Sequence, residues 1–548
     1  MSSPEKSRQS ERAPAATPPP AGATFASFVL FASLAALLGM IYAAGEWWNL
    51  AGAFGFSSDG AWARAVLARN VASGGGLCFN PGVAAAGVAG VSWIACLAAF
   101  GLLTGKFLLG AKLLGVASVV VASFLCWHLV LDLLGDWRFA FLAGLLVAAS
   151  PALMPDALGG SGASLTAMLV ALAIHWQARG WESDGRHRAA TAVALALAAL
   201  SRPELVLLIP LAAADRWLVV LKHGRRGQRL RQALANSLPE AAGAVLLLVP
   251  YLIYNWRAGG PLWQQPESAL RPQEALVWTQ SLLHELWAND PVLLCACLLG
   301  IPVVALAAAQ KRSRHPSYLM VLTPVVLVVA PGLLWPQATP ANARLAAAYL
   351  SPVVAVVGTA GLFLLYREAT RLNAMERVRW GRWAFGLGMA VVCGGLVMWT
   401  WMGHRAAWLD HGFQVKRVSD LQGYVGRWAA DHLAPDASIA SREVGAIGFF
   451  SRRRMVDLGG TISQEGRRAL SRPGPPDSNL LAYLQQVQPS HLVIRPSDFP
   501  DLSRRADLLT ETLTCGVEDP VTGGVTTMVL YETPWPPPSV RAARGQLE

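Results

Sequence analysis

The sequence predicts a polytopic α-helical membrane protein of 11–13 transmembrane helices, followed by a small extracytoplasmic α/β domain. Three observations lead to this fold class. Of the 548 residues, 54% are hydrophobic and only 14% are charged, which is far more apolar than a soluble protein of this length. The hydrophobic residues form runs close to the ~20 residues that a helix needs to cross a bilayer. Several of the 21 Trp residues stand at the ends of these runs, as interface anchors do.

Twelve apolar segments define the predicted membrane part, residues 24–402. They lie at 24–44, 84–104, 107–131, 138–155, 160–178, 189–201, 204–221, 240–254, 291–310, 317–335, 344–366 and 383–402. The residues before them, 1–23, are polar and rich in Pro and Ala, which predicts a disordered cytoplasmic tail.

The distribution of Lys and Arg predicts the orientation. Basic residues concentrate in the loops 222–236, 311–316 and 367–382, which is typical of cytoplasmic loops. This assignment puts the first loop, 45–83, and everything after residue 403 on the opposite, outer side of the membrane. The net charge of +11 resides largely in such loops and not in a basic patch with interleaved aromatic residues. We therefore expect no nucleic-acid binding.

Twelve complete crossings conflict with this orientation, because an even number returns the C-terminus to the cytoplasm. We therefore expect one segment not to cross. The segment 138–155 is the predicted half-helix, because Ser150-Pro151 and Pro155 interrupt its hydrogen-bond ladder.

From residue 403 the chain is polar enough to form a water-exposed domain, which we place at 403–533. Short strands are predicted at 437–440, 455–458 and 491–495, and helices at 418–433 and 480–487. A Pro-rich tail follows at 534–548. This alternation predicts a small α/β domain on the outer face.

Asp59 is the candidate catalytic residue. It lies in the first loop, before a helical stretch at 61–71 that carries Arg64 and Arg69. A carboxylate there could act as a general base toward an acceptor hydroxyl, while Arg64 or Arg69 offsets the charge of a lipid phosphate. Equally, Ser58 or Asp59 could cap the helix, because acids are favoured at helix N-termini. The residue pattern leaves both roles open, and they are compatible.

Three further charged residues lie at outer ends of apolar segments. Arg202 and Glu204 flank Pro203 between two segments, where a charge pair at membrane depth is a functional candidate. Arg344 begins another outer helix and could bind a phosphate with two parallel hydrogen bonds. A tight turn that reaches the headgroups, or an interface anchor, explains these residues as well.

Glu443 and Asp457 are candidate substrate-binding residues of the outer domain. Each follows or ends a predicted strand, in Arg442-Glu443-Val444-Gly445 and Asp457-Leu458-Gly459-Gly460. Ligands gather at the carboxyl ends of strands in α/β units. Ordinary loop positions are the alternative. No His, Cys, Asp or Glu set stands at metal-ligand spacing, so the sequence names no metal residue.

Taken in order along the chain, these pieces resemble the GT-C superfamily of membrane glycosyltransferases. The resemblance covers about residues 25–500 and is nearest to protein mannosyltransferases, aminoarabinose transferases and mycobacterial arabinofuranosyltransferases. It rests on the loop from Ser58-Asp59 through Ala68-Arg69-Asn70, on Gly76 to Gly82, on Ser161-Gly162, on Leu200 to Glu204, on Arg344, and on Gly445 to Gly448 with Asp457 to Gly460.

The resemblance implies that Asp59 is the catalytic base and that Arg202, Glu204 and Arg344 lie near the donor. The donor would be a polyprenyl-phosphate sugar, and a glycan, lipid or protein would accept the sugar. The chain departs from the family where relatives often carry an acidic pair, since Gly60 follows Asp59. That missing acid weakens the case for a divalent metal cofactor more than the case for a single base.

The sequence thus predicts a multi-pass inner-membrane glycosyltransferase, a hexosyl- or pentosyltransferase that acts on the periplasmic face. One alternative is a degenerate family member that binds a glycolipid or a partner without turnover. A lipid or sugar transporter is the other, but the spans carry few charges, no inverted repeat is visible, and a transporter does not need the outer domain.

Overall fold

The structure is a computed structural model that describes residues 19–180, 185–223, 229–263, 272–309, 317–334, 340–374, 379–518, 524–537 and 539. Residues 1–18 of the predicted tail, the loop 311–316, and residues 538 and 540–548 of the Pro-rich tail lie outside the described residues. So do residues 224–228 and 375–378 of the other two basic loops.

Helices account for the predicted membrane part. Their bounds are α1 Ala23–Asn49, α2 Asp59–Ala72, α3 Val91–Thr104, α4 Phe107–Leu134, α5 Trp137–Ala148, α6 Leu153–Gly159, α7 Ala163–Arg179, α8 Gly185–Ser201, α9 Leu208–His223, α10 Arg229–Arg257, α11 Pro272–Asn289, α12 Pro291–Ala309, α13 Leu319–Leu334, α14 Pro340–Ala374 and α15 Arg379–Val418. A short 3₁₀ turn, Pro203–Leu207, separates α8 from α9.

Within the described ranges, five helices are long and apolar enough to span a membrane: Ala23–Asn49, Phe107–Leu134, Ser237–Arg257, Pro291–Ala309 and Asn342–Glu368. The pair α5 and α6, bent by 45° at its break, would be a sixth span, and the apolar stretches Val91–Thr104 and Leu319–Val328 are shorter. The chain is therefore a polytopic helical membrane protein, as the composition predicts.

One end of the helix bundle carries the C-terminal domain, and we call it the domain end. The chain reaches this end along α15, which continues as one helix to Val418. The last turns of α1 lie beside this part of α15, because the Tyr42 hydroxyl lies 3.1 Å from His404 Nδ1. At the other end of α1, Phe28 packs against Phe124 late in α4. Helices α1 and α4 are therefore antiparallel, and α4 begins at the domain end.

This direction corrects the prediction for residues 84–104. Because α1 ends and α4 begins at the domain end, α3 between them stays at that end. The Ser92 hydroxyl on α3 donates to the Leu197 carbonyl at 2.7 Å, near the end of α8. With 14 residues, α3 is ~21 Å long, shorter than the ~30 Å hydrocarbon core. A hydrophobic run that packs against protein at the membrane surface looks like a span in the sequence.

The predicted break in 138–155 is present, but the segment still traverses the bundle. Helix α5 ends at Ala148 and α6 begins at Leu153. Phe139 packs against Phe363 and Tyr366, far from the domain end, whereas a Cβ at Gly159 would lie 2.5 Å from Ser57 Oγ at the domain end. Placing the incomplete crossing in 138–155 was therefore wrong. The incomplete segment is 84–104. Eleven predicted crossings remain, and this odd number puts residue 24 and the C-terminal domain at opposite ends of the helix bundle.

The C-terminal domain is built on a five-stranded sheet of order β2-β1-β3-β5-β4. Strands β1, β2 and β3 are parallel, and β5 and β4 continue the sheet antiparallel. The elements are α16 Tyr424–His432, β1 Ser438–Ser441, α17 Gly445–Ser451, β2 Arg454–Asp457, α18 Gln464–Leu470, α19 Pro476–Val487, β3 His491–Ile494, α20 Pro500–Ser503, β4 Thr510–Glu518 and β5 Val525–Glu532. This confirms the predicted α/β domain and its three predicted strands, and adds β4 and β5.

Aromatic packing joins the domain to the first loop. The Trp62 ring of α2 lies with its centroid 4.8 Å from that of Phe449 and 5.0 Å from that of Phe450, both on α17. Phe56 also packs against Trp62, at 4.9 Å between ring centroids. Trp62 is almost fully buried. The loop helix α2 is therefore fixed between the bundle and the domain.

Candidate functional site

The start of α2 carries two polar residues with different tasks. Ser58 is the N-cap, and its Oγ accepts the backbone N–H of Ala61 at 3.3 Å. Asp59 is the first helical residue, and its carboxylate is directed to the C-terminal domain. The capping role that the sequence left open for both residues therefore belongs to Ser58 in α2.

Asp59 binds the N-terminus of α17. Its Oδ1 accepts the backbone N–H of Gly445 at 2.8 Å and that of Ala446 at 3.1 Å. A Cβ at position 445 would overlap the Asp59 carbonyl oxygen, so only glycine allows the two helix starts to come this close. One carboxylate oxygen is thus anchored, and the other, Oδ2, has no hydrogen-bond partner among the residues that the structure describes.

The Asp59 carboxyl group has an unusual proton affinity. Burial raises its pKa to about 7, and the nearby carboxylates of Glu443 and Asp457 act in the same direction. The two amide hydrogen bonds from α17 oppose this shift. A carboxyl group with a pKa close to neutrality can take up and release a proton at physiological pH, as a general base must.

Three further predicted residues lie at the junction between the first loop and the domain. Glu443 lies two residues after the end of β1 and pairs with Arg495, which directly follows β3. Asp457 ends β2, and its carboxylate accepts four backbone N–H groups between 2.6 and 2.9 Å, which shapes the following turn. Arg69 donates to the Phe449 carbonyl at 3.1 Å, and its guanidinium lies 5.1 Å from the Phe449 ring centroid. The first loop therefore meets the carboxyl edge of the parallel strands.

A second cluster lies deeper, around Arg64 and Arg202. The pKa of Arg64 is lowered to about 10: burial is the main cause, the positive charge of Arg202 acts in the same direction, and the negative charge of Asp156 opposes both. The Asp156 carboxylate accepts the Ser164 backbone N–H at 2.6 Å and the Ser161 hydroxyl. The structure thus brings together two predicted arginines and one carboxylate, Asp156, that was not predicted.

Arg202 is the least satisfied cation of this cluster. The residue is 9% exposed, and its Nη2 has no hydrogen-bond partner in the described part of the chain. A buried charged donor without a partner is costly unless a ligand or water accepts from it. Glu204, two residues on, accepts the Tyr349 hydroxyl at 3.1 Å. The cluster of Arg64, Asp156, Arg202, Glu204 and Tyr349 is hereafter the buried arginine cluster.

Arg344 lies apart from the buried arginine cluster. Its Nη1 is 2.7 Å from Asp410 Oδ2, its Nε is 3.7 Å from Glu285, and its side chain is 61% exposed. The structure therefore joins Arg344 to carboxylates of α15 and α11 and not to the buried arginine cluster.

Two members of that cluster were missed for identifiable reasons. Asp156 directly follows the predicted half-helix 138–155, and a lone acid between two apolar segments is the signal that could have found it. Tyr349 stands within a predicted span, where a tyrosine carries no distinctive pattern. Among the described residues, no group of three or more His, Cys, Asp or Glu side chains is placed to hold a metal ion.

Comparison with known proteins identifies the fold of the whole chain. The structure aligns with the oligosaccharyltransferase of Archaeoglobus fulgidus tethered with an acceptor peptide, over 93% of this chain and 74% of that protein, at 12% identity and a TM-score of 0.60. It also aligns with ArnT of Cupriavidus metallidurans bound to undecaprenyl phosphate, over 92% of this chain and 97% of ArnT, at 15% identity and a TM-score of 0.57. A further structure of the archaeal enzyme contains an inhibitory peptide and a dolichol-phosphate.

Comparisons of the sequence match a smaller part of the chain. Residues 413–531 match a family described as "Domain of unknown function (DUF8728)", which corresponds to the C-terminal domain. A comparison with curated proteins gives no match. The matched structures nevertheless show the fold: this chain is folded like the archaeal oligosaccharyltransferase and ArnT over more than nine tenths of its length, in agreement with the fold that the resemblance to the GT-C superfamily implies.

Proposed function

We propose that this GT-C-fold protein is a membrane glycosyltransferase that moves a sugar from a polyprenyl phosphate to a cell-envelope acceptor. The reaction would occur at the domain end, on the periplasmic face of a bacterial inner membrane, with Asp59 as the general base. The fold supports the reaction class, because the matched structures include an oligosaccharyltransferase and a protein bound to undecaprenyl phosphate.

The observation that carries the proposal is the unpartnered Nη2 of Arg202. A guanidinium is the side chain best shaped to bind phosphate oxygens, and burial strengthens such a bond. Arg202 lies close enough to Arg64 for its positive charge to lower the Arg64 pKa, so a phosphate between the two guanidinium groups would relieve their repulsion. Asp156 balances part of this charge and would position the guanidinium groups. We assign the donor phosphate to Arg202 and Arg64, with Glu204 beside the sugar.

The base assignment rests on the geometry of Asp59. Its Oδ1 is fixed by the amides of Gly445 and Ala446, so the orientation of the carboxylate is set before substrate binds. Its Oδ2 has no partner in the described structure and is available to an acceptor. A pKa of about 7 leaves a large unprotonated fraction at neutral pH and a useful proton affinity.

The chemical step balances without a cofactor. The acceptor hydroxyl oxygen forms a bond to the anomeric carbon while the bond from that carbon to the phosphate oxygen breaks. Asp59 takes the hydroxyl proton, and the electron pair of the broken bond leaves with the polyprenyl phosphate. The guanidinium groups of Arg202 and Arg64 stabilise the charge that develops on the leaving phosphate.

One observation favours the alternative of a non-catalytic, glycolipid-binding protein. The Asp59 carboxylate already caps α17, so this residue has a structural role whether or not it takes a proton. Such a protein would keep the phosphate site of the buried arginine cluster and transfer nothing.

The experiment that separates the two uses purified protein in proteoliposomes with a panel of radiolabelled polyprenyl-phosphate sugars. Binding of a donor together with release of polyprenyl phosphate to an envelope-extract acceptor supports the transferase. Binding without release supports the alternative. Absence of binding to every polyprenyl-phosphate sugar and to free polyprenyl phosphate would contradict both, and Arg202→Gln serves as the control for binding at the buried arginine cluster.

A further inference from the structure

A buried ionic network lies beside the candidate site and takes no part in the proposed chemistry. Glu46 in the last turn of α1 is fully buried, and Lys112 in α4 and His411 in α15 are almost so. The Lys112 ammonium lies 2.7 and 2.6 Å from the two Glu46 carboxylate oxygens. His411 Nε2 lies 2.8 Å from Glu46 Oε1.

The same ammonium binds the two chain segments that carry the carboxylates of the site. Lys112 Nζ donates to the Gly55 carbonyl at 3.2 Å and to the Leu158 carbonyl at 3.1 Å. Gly55 precedes Asp59 by four residues, and Leu158 follows Asp156 by two. Glu46 completes the link to the first loop, because its Oε2 accepts the Gly55 N–H at 3.4 Å.

Direct packing shows how closely these two segments are held. A Cβ at Gly159 would lie 2.5 Å from Ser57 Oγ, and a Cβ at Gly160 would lie 2.5 Å from the Phe56 ring. The end of α6 and the residues before Asp59 are thus in contact, with the Lys112 ammonium bonded to both. The network therefore sets the position of the first loop relative to α6.

The energy cost of burying charges indicates that this network positions chain segments more than it stabilises the fold. Removing an ammonium and a carboxylate from water costs several kcal/mol per ion. Well-packed apolar residues of similar volume often stabilise a fold as much as a buried ion pair does. A buried ion pair that is kept at membrane depth is a functional candidate. Its hydrogen bonds to two separate backbone segments provide a directional constraint that apolar packing lacks.

We infer that Lys112, held by Glu46 and His411, is a positioning residue that fixes the Asp59 loop relative to the Asp156 helix. It touches neither substrate nor reacting atoms. This inference rests on the proposed function for its catalytic consequence, but the placement itself can be measured without turnover.

The test replaces the whole network with apolar side chains, in the variant Glu46→Leu/Lys112→Met/His411→Phe. Replacing all three residues avoids leaving one buried charge without its partner, which would destabilise the fold. The matched control is Arg216→Met/Glu240→Leu, since that ion pair is also buried, at 3.1 Å, and lies away from the domain end. All proteins are full length and reconstituted in nanodiscs.

Two readouts are needed. Hydrogen exchange of the peptide that covers residues 50–62 reports the order of the first loop. We expect its exchange to be faster in the triple variant and unchanged in the control, with a thermal midpoint close to that of the wild type. For transfer, we expect kcat to fall about 10- to 100-fold with the donor KM little changed, because a misplacement of ~1 Å is costly to rate.

Unchanged exchange in residues 50–62 of a folded triple variant would overturn the inference, and so would a wild-type kcat. Faster exchange in the triple variant, combined with no transfer by the wild-type protein, would support the placement and refute the proposed function. The variant Lys112→Arg, which keeps the charge and its donors, should recover part of the lost kcat. No recovery by a folded Lys112→Arg protein would count against a role for the Lys112 hydrogen bonds.

Discussion

Asp59 and Gly445 join the first loop to the C-terminal domain through a hydrogen bond of 2.8 Å between the Gly445 N–H and Asp59 Oδ1. Their backbones touch as well, since no side chain fits at position 445 against the Asp59 carbonyl oxygen. The domain therefore orients the carboxylate that we propose as the base. A change at Gly445 should consequently affect both the packing of the domain and the chemistry of the first loop.

The variant Gly445→Ala should weaken this junction. Its Cβ would overlap the Asp59 carbonyl oxygen, so α17 must move and lengthen the two hydrogen bonds to Asp59. Overpacking of this kind costs about 1–3 kcal/mol, and we expect a lower thermal midpoint in detergent together with slower transfer. Gly388→Ala is the control, because its Cβ meets open space within a helix and should be neutral or slightly stabilising. Equal midpoints for wild type and Gly445→Ala would contradict the close approach.

The rate of transfer should rise with pH through about 7. Asp59 acts as a base only when unprotonated, and burial raises its pKa to about 7. Below that pH the rate should fall about ten-fold per pH unit, and above it the rate should level off. The measurement is kcat/KM from pH 5.5 to 8.5 in proteoliposomes at constant ionic strength. A flat profile across this range would exclude a base with the pKa of Asp59.

The contribution of Asp59 to the stability of the fold should fall as pH rises, whereas the rate of transfer should rise. A carboxyl whose pKa rises from 3.8 to about 7 on folding favours the folded state while protonated, and this contribution is lost as pH rises through 7. The variant Asp59→Asn stays neutral and can still accept from the Gly445 amide. We expect Asp59→Asn to become progressively more stable than wild type between pH 5 and pH 8, as measured by thermal unfolding. If the difference in thermal midpoint between Asp59→Asn and the wild type shrinks from pH 5 to pH 8, burial does not disfavour the charged form of Asp59.

Arg202 and Arg344 should differ sharply as phosphate ligands. Loss of a hydrogen bond to a charged partner costs about 1.5–3 kcal/mol, so Arg202→Gln should raise the donor KM about 10- to 100-fold. Arg202→Lys should fall between this variant and the wild type, because lysine keeps the charge but loses the fork geometry. Arg344 is mostly exposed and paired with Asp410, and exposed pairs contribute about 0–1 kcal/mol. A larger effect for Arg344→Gln than for Arg202→Gln would move the phosphate site to Arg344.

The sequence predicts the fold class well because membrane spans follow from apolar length alone. The exception, α3, shows the limit of that signal. Its residues 91–104 are as hydrophobic as a span, and only the antiparallel pairing of α1 with α4 shows that they stay at the domain end. In the domain, the antiparallel strands β4 and β5 were missed, although Leu513, Cys515 and Val517 alternate along β4 and Met528 to Tyr531 form a buried run in β5.

The site is less predictable, because its contacts join residues that are distant in the chain. Glu46 and Lys112 are single charges in apolar runs, 66 positions apart, and nothing local indicates that they pair. Asp59 could be singled out from its loop and from the resemblance, yet its partner Gly445 is 386 positions away. Site residues that stand out from their sequence neighbours, such as Arg202 before Pro203, could be predicted. Residues whose role depends on a contact with a distant part of the chain could not.

The measurement that tests the central claim most directly is single-turnover transfer by Asp59→Asn at pH 8, with donor binding measured on the same protein. The control is Asp136→Asn, since Asp136 also caps a helix, α5, but lies away from the domain end. The account predicts that Asp59→Asn binds the polyprenyl-phosphate sugar as tightly as the wild type and transfers it at least ~100-fold more slowly, while Asp136→Asn does both normally. Transfer by Asp59→Asn at the wild-type rate would contradict the assignment of Asp59 as the base.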